Sequence, residues 1–138
     1  MDGNRRYATK LNREKHQGHS DGLRNLENTV FWCKELGIQQ LTVFALAKDN
    51  LKRPKIEVDT LMNLCKNQFN ALSKPGGSLE RNQIKIKIFG DVSMLPDDVQ
   101  EVMRQSEERT KDYNNGTLNV CLCYNSKHEI FDAVESLA

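Results

Sequence analysis

Apolar residues recur along this chain in two alternating patterns. Leu23, Leu26, Val30 and Cys33 stand three and four apart, after the start signal Gly18-His19-Ser20-Asp21 and before a stop at Gly37. That spacing predicts a helix with one buried face. Over residues 38–47 the pattern changes: Leu41, Val43 and Phe44 crowd together with little alternation, as in a buried strand. Pro54 suits the first turn of a second helix, whose apolar stripe is Val58, Leu61, Met62, Cys65, Phe69 and Leu72. A loop is predicted over 74–78. Ile84, Ile86 and Ile88 then alternate with lysines and predict a strand with one polar face. Residues 91–97 turn the chain into a third helix, opened by Pro96 and buried on the side of Val99, Val102, Met103 and Ser106. Asn114-Asn115-Gly116 predicts a turn, 117–124 a strand and 128–137 a last helix. Residues 1–17 show no clear period and read as a loop leading into a short helix.

Helix and strand thus alternate strictly. This order predicts an α/β fold in one domain over 1–138: a parallel sheet with right-handed crossovers and helices on both faces. In such sheets ligands sit beyond the carboxyl ends of the strands. Function is therefore expected near 47–53, 90–91 and 124–127. No internal repeat interrupts the pattern.

Charge narrows the partners. Lys and Arg number 20 against 19 Asp and Glu, a net charge of +1. Nucleic-acid binding usually rests on a clear basic excess, so no nucleic-acid partner is expected. One local cluster stands out at Arg5, Arg6, Lys10, Arg13 and Lys15. No apolar run is long enough to cross a bilayer, and no charged-then-apolar signal peptide opens the sequence. Asn115-Gly116-Thr117 matches a glycosylation sequon but reads better as a turn. The four cysteines, Cys33, Cys65, Cys121 and Cys123, form no CxxC pair. They read as small buried hydrophobes in a reducing compartment, with Cys121 and Cys123 on one strand face.

Two polar sets carry candidate chemistry. The opening Asp2-Gly3-Asn4-Arg5-Arg6 combines a glycine that lets backbone N–H groups approach an anion, two arginines shaped for phosphate, and a carboxylate suited to magnesium. Taken alone, those five residues fit a solvated basic terminus better. Asp49, Asn50, Lys52 and Arg53 lie just past the first predicted strand, at the ligand-bearing edge. His16 and His19 are three apart, but no third ligand has convincing spacing, so zinc is not expected. His128 reads as a surface or cap residue. GxSxG, Walker and GxGxxG patterns are absent from the sequence.

Together these residues resemble the cis-prenyltransferase family. Met-Asp-Gly-Asn-Arg-Arg-Tyr-Ala at 1–8 looks like its first signature, and the match continues in order. Gly18-His19-Ser20 is followed by Gly22, and Phe31-Trp32-Cys33 by Leu36-Gly37-Ile38. Asn50 and Lys52-Arg53-Pro54 come next, then Glu57-Val58-Asp59, Phe89-Gly90-Asp91 and Tyr124-Asn125-Ser126. The resemblance spans essentially the whole chain, and within the family it is nearest to the eukaryotic dehydrodolichyl diphosphate synthase type.

The resemblance implies an enzyme that adds isopentenyl diphosphate to an allylic diphosphate such as farnesyl diphosphate, with Mg2+ and cis stereochemistry. It makes Asp2 and Asn50 the catalytic residues, with Asp2 also handling the metal. Gly3, Asn4 and Arg6 would cradle the allylic diphosphate, His19 would contact it, and Asn50 and Arg53 would flank the reacting carbons and phosphates. It implies a homodimer, or a heterodimer with a family-related subunit. It also implies a cytoplasmic chain with peripheral contact at the endoplasmic reticulum surface.

Several departures stand against full activity. The family usually has Phe-Ser-x-Glu before the asparagine, where this chain has Leu46-Ala47-Lys48-Asp49. Lys15 and Lys127 replace usual arginines. By resemblance, the family also has a strand directly before the aspartate and about a hundred further residues. These carry an Arg-x-Ser-Gly-Glu motif for isopentenyl diphosphate and much of the dimer interface. The fold is therefore expected to be incomplete relative to the family's, a partial domain lacking the first strand and the C-terminal part. Three readings fit the sequence: an active transferase, a non-catalytic member that binds prenyl diphosphate or a partner subunit, and a shortened chain without independent function.

Overall fold

The parallel sheet expected from the alternating pattern is present. The structure, a computed structural model, describes residues 3–137, with side chains except at Arg5, Lys15, His16, His19, Ser20 and Leu23. Helices α1 (Asn4–Lys10) and α2 (Lys15–Glu35) precede strand β1 (Gln40–Ala47). A 3-10 turn, Lys48–Lys52, leads to α3 (Lys55–Ser73) and the short α4 (Ser78–Asn82). Then come β2 (Ile84–Phe89), α5 (Asp97–Thr110), β3 (Gly116–Tyr124) and α6 (Ser126–Glu135). All pairings are parallel, in the order β1-β3-β2, so the last strand lies between the first two.

Register explains the layering. Leu41, Val43 and Leu46 of β1 stand beside Leu118, Val120 and Leu122 of β3, and Ile86 and Ile88 of β2 stand beside Leu118 and Val120. This apolar face forms the core with Leu26 and Val30 of α2, Phe69 and Leu72 of α3, Leu79 of α4, and Val99 and Met103 of α5. The opposite face carries Thr42, Asn119, Lys85 and Lys87, the polar alternation read from β2. There α6 approaches through its first turns, where Glu129 lies near the Tyr124 phenol and Cys121. Phe44 packs edge-on against Tyr124, with ring centroids 5.6 Å apart.

Strand β2 ends the sheet, and its outward N–H groups are satisfied by α5. Ile86 N donates to Thr110 Oγ1 at 3.1 Å and Ile88 N to Glu107 Oε1 at 2.8 Å. Thr110 and Ser106 are fully buried, and Ser106 Oγ lies 3.0 Å from Ser73 Oγ of α3. A buried hydroxyl is costly unless paired. This small network pairs them and pins α3, α5 and β2 together.

Three local features differ from the sequence pattern. The helix near the start begins already at Asn4, entered through Gly3 at φ 87. Helix α4 has only five residues, too few to show a period, and is held by Leu79, which is 1% exposed. Cys121 and Cys123 do not share surroundings. The register slips past Phe44, and Cys123 has φ 48. Cys123 therefore joins the core near Cys65, while Cys121 lies near Glu129. All four cysteines are free thiols.

Two close approaches fix the frame. A Cβ on Gly90 would run into the backbone carbonyl of Leu122, so only glycine lets the end of β2 press against β3. A Cβ on Gly18 would meet the Asn4 carbonyl. Helix α1 thus lies directly on the start of α2.

Candidate functional site

The carboxyl ends of the strands open into a cavity of about 1250 Å³. Its interior is apolar. The sheet contributes Val43, Leu46, Leu118, Val120 and Leu122, α2 contributes Leu26, and α3 contributes Leu61, Leu64, Cys65, Phe69 and Leu72. Its polar lining comes from two segments and from Gln68 of α3. Helix α1 supplies Gly3, Asn4, Arg6, Thr9 and Lys10, and the segment after β1 supplies Asn50 and Arg53. Among the described residues that line it there is no carboxylate, while Arg6, Lys10 and Arg53 are cations. An apolar volume with a cationic lip suits an amphipathic anion with a long hydrocarbon tail.

Five of the residues singled out from the sequence therefore line one cavity: Gly3, Asn4, Arg6, Asn50 and Arg53. Asp2 and the His19 side chain lie outside the described residues. Local packing sets the others. Gly3 begins α1, and its carbonyl accepts from Tyr7 N at 2.8 Å. The 3-10 turn holds Asn50 behind β1, and Asn50 O accepts from Arg53 N at 3.3 Å. Arg53 Nη1 donates to Glu57 Oε1 one turn into α3, at 3.0 Å, and both side chains are about three-quarters buried. That ion pair holds the guanidinium toward the cavity.

Asp49 points elsewhere. It is exposed and accepts from Lys52 Nζ at 2.7 Å. The Lys52 ammonium holds its carboxyl below the usual carboxylate range. Ala47 also lines the cavity. Burial, followed by the nearby Cys123, pushes the Cys65 thiol up to about 11, so it faces the cavity as a neutral group and not as a nucleophile.

Sequence reasoning missed Thr9, Leu64 and Gln68, and placed Lys10 only in a basic cluster. On α3, Leu61, Leu64, Cys65, Gln68 and Leu72 form a stripe toward the cavity. A second stripe, with Met62 and Ser73, is buried in the core, and Phe69 both joins it and lines the cavity. The first stripe was findable from its three- and four-residue spacing, had Gln68 been counted with the apolar positions.

Known proteins share this architecture. The dehydrodolichyl diphosphate synthase complex subunit DHDDS of Homo sapiens is 45% identical over 138 residues, which are 100% of this chain and 41% of that protein. A tritrans,polycis-undecaprenyl-diphosphate synthase (geranylgeranyl-diphosphate specific) of Thermococcus kodakarensis is 40% identical over 137 residues, 99% of this chain and 52% of its own length. The chain thus spans about half the length of the curated relatives it matches. Among solved structures, lavandulyl diphosphate synthase from Lavandula x intermedia, in complex with dimethylallyl diphosphate, superposes with a TM-score of 0.87. Its identity is 25%, over 99% of this chain and 58% of that one. A probable undecaprenyl diphosphate synthase from Campylobacter jejuni gives a TM-score of 0.75 at 30% identity, over 85% of this chain and 56% of that one. Residues 1–138 match the family model for undecaprenyl diphosphate synthase, and with the fold and the cavity in agreement, the chain belongs to that cis-prenyltransferase family.

Proposed function

We propose that this chain provides the allylic-diphosphate half of a cis-prenyltransferase site, as a partial domain over 1–138. One observation carries the reading: Gly3, Asn4 and Arg6 of α1 and Asn50 and Arg53 behind β1 line a single cavity that is apolar inside. A diphosphate would sit among the cations and the prenyl tail along α3. The solved lavandulyl diphosphate synthase was crystallised with an allylic diphosphate, which supports the same ligand class here.

In the reaction, the allylic carbon–oxygen bond breaks and its electron pair leaves with diphosphate. The double bond of isopentenyl diphosphate supplies the electrons of the new carbon–carbon bond, and a proton is lost. Negative charge grows on the leaving group, and Arg6 and Arg53 would stabilise it. Asn50 would orient the reacting end. The apolar walls would keep water from the electron-poor carbon.

Magnesium belongs to this reading through the family resemblance. It takes one or two carboxylates together with phosphate oxygens, not an all-protein cage. Asp2 would hold it with the diphosphate, and the ion would neutralise part of the leaving group's charge. The His19 imidazole would contact the same diphosphate. A homodimer, or a heterodimer with a family-related subunit, belongs to the same proposal. The human and fission yeast relatives are named as complex subunits. Peripheral contact with the endoplasmic reticulum belongs to the same proposal; among the described residues, no helix is long and apolar enough to cross a membrane.

Ala47 favours a second reading, binding without turnover, because it lines the cavity at the position where the resemblance implies a serine hydroxyl. Incubation with magnesium, farnesyl diphosphate and labelled isopentenyl diphosphate separates the two. Extractable labelled prenyl product establishes the enzyme. Farnesyl diphosphate binding without product establishes the second reading. Arg53→Ala is expected to weaken that binding about tenfold to a hundredfold, from ~1.5–3 kcal/mol for a hydrogen bond to a charged group. Binding unchanged in Arg53→Ala overturns both.

A further inference from the structure

The turn that carries Asn50 begins at Lys48, and Lys48 reaches across the sheet. Its Nζ lies 3.4 Å from Asp91 Oδ2. Lys48 follows β1 and Asp91 follows β2, the two strands that flank β3. In a sheet, alternate strands are two spacings apart, ~10 Å. The pair therefore closes over the carboxyl end of β3, where Cys123 senses both charges.

Both ends of this strap are anchored. Gly90, with φ 115 and no room for a Cβ beside the Leu122 carbonyl, fixes where Asp91 leaves the sheet. Ser93 Oγ donates to Asp91 Oδ1 at 2.5 Å and leaves Oδ2 facing Lys48. Lys48 is 21% exposed, so its ammonium is held in place and not free in solvent. From Lys48 the turn runs directly to Asn50 and Arg53, both on the cavity wall.

Resting on the function proposed above, we propose that Lys48 and Asp91 are a positioning pair that fixes the 48–52 turn, and so sets where Asn50 and Arg53 meet the allylic diphosphate. Magnitudes separate this from a stability role. A partly exposed ion pair contributes only ~0–1 kcal/mol to folding. A displacement of ~1 Å in a binding group can cost about a hundredfold in rate. The pair should therefore matter far more to ligand geometry than to folding.

The test uses the full chain with Lys48→Met, Asp91→Asn and the reversed pair Lys48→Asp with Asp91→Lys. The first readout needs no ligand: the Asn50 side-chain amide and Arg53 Nε–H signals in nitrogen-edited NMR spectra. Each single variant should shift or broaden both signals while melting within a few degrees of the unaltered chain, and the reversed pair should restore them. The second readout is titration with farnesyl diphosphate and magnesium. Each single variant should bind about tenfold more weakly, ~1.4 kcal/mol, and the reversed pair should recover most of that loss. Unmoved Asn50 and Arg53 signals in both single variants, or a reversed pair that restores nothing, overturn the proposal. Failure of the unaltered chain to bind the probe sinks the functional reading instead, and the NMR comparison still decides the strap. If Asp91→Asn does not fold, Lys48→Met and the conservative Lys48→Arg carry the test, with Lys48→Arg expected to keep both signals in place.

Discussion

Asn4 of α1 occupies the space that a side chain at Gly22 of α2 would need: a Cβ there would lie 2.6 Å from Asn4 Oδ1. The amide is thereby seated against bare helix backbone at the edge of the cavity. Gly22→Ala is expected to displace it, at an overpacking cost of ~1–3 kcal/mol. Urea unfolding should show that loss. Farnesyl diphosphate titration should show weaker binding than the change in stability alone would give.

Gln68 places an amide on the cavity stripe of α3, next to Leu64, Cys65 and Leu72. An amide without a partner in an apolar wall is unfavourable by ~1–3 kcal/mol. Gln68→Leu should therefore tighten binding of a prenyl diphosphate about fivefold, ~1 kcal/mol. Titration with inorganic pyrophosphate, which has no tail, should show no change.

Gly90 should tolerate no side chain. Its φ of 115 and the closeness of the Leu122 carbonyl act together. Gly90→Ala is expected to lower stability by about 3 kcal/mol or more, as strained and clashing sites do. Chemical denaturation measures this directly, with loss of soluble folded chain as the severe form.

Stability should fall in alkali because of Cys65. In the folded chain its thiol keeps its proton up to about 11, against an ordinary value of 9.0. As pH rises between those values the unfolded chain gives up this proton first, so the folded state is progressively disfavoured. The loss should approach ~2–3 kcal/mol near the upper value. Cys65→Ala should flatten that part of the profile in urea melts at successive pH values.

The order of elements was legible because each long helix and strand repeats its apolar residues at its own period. Helix α4 was not, since five residues show no period and only the burial of Leu79 reveals its role. Asn50 and Arg53 could be placed by topology alone, as residues just past a strand's carboxyl end. Gly3, Asn4 and Arg6 could not. They stand in a run without periodicity, and only their motif suggested a site. Lys48 with Asp91 lay beyond sequence reasoning because their meeting depends on β3 inserting between β1 and β2. Chain order does not encode that insertion in any local pattern.

Thr110 and Glu107 claim the outward N–H groups of Ile86 and Ile88. A neighbouring molecule arriving at that margin finds its ladder donors already spoken for, so cross-molecular strand pairing gains little there. Thr110→Val with Glu107→Leu would leave those donors covered but unpaired, so the border that seals itself would become a source of instability.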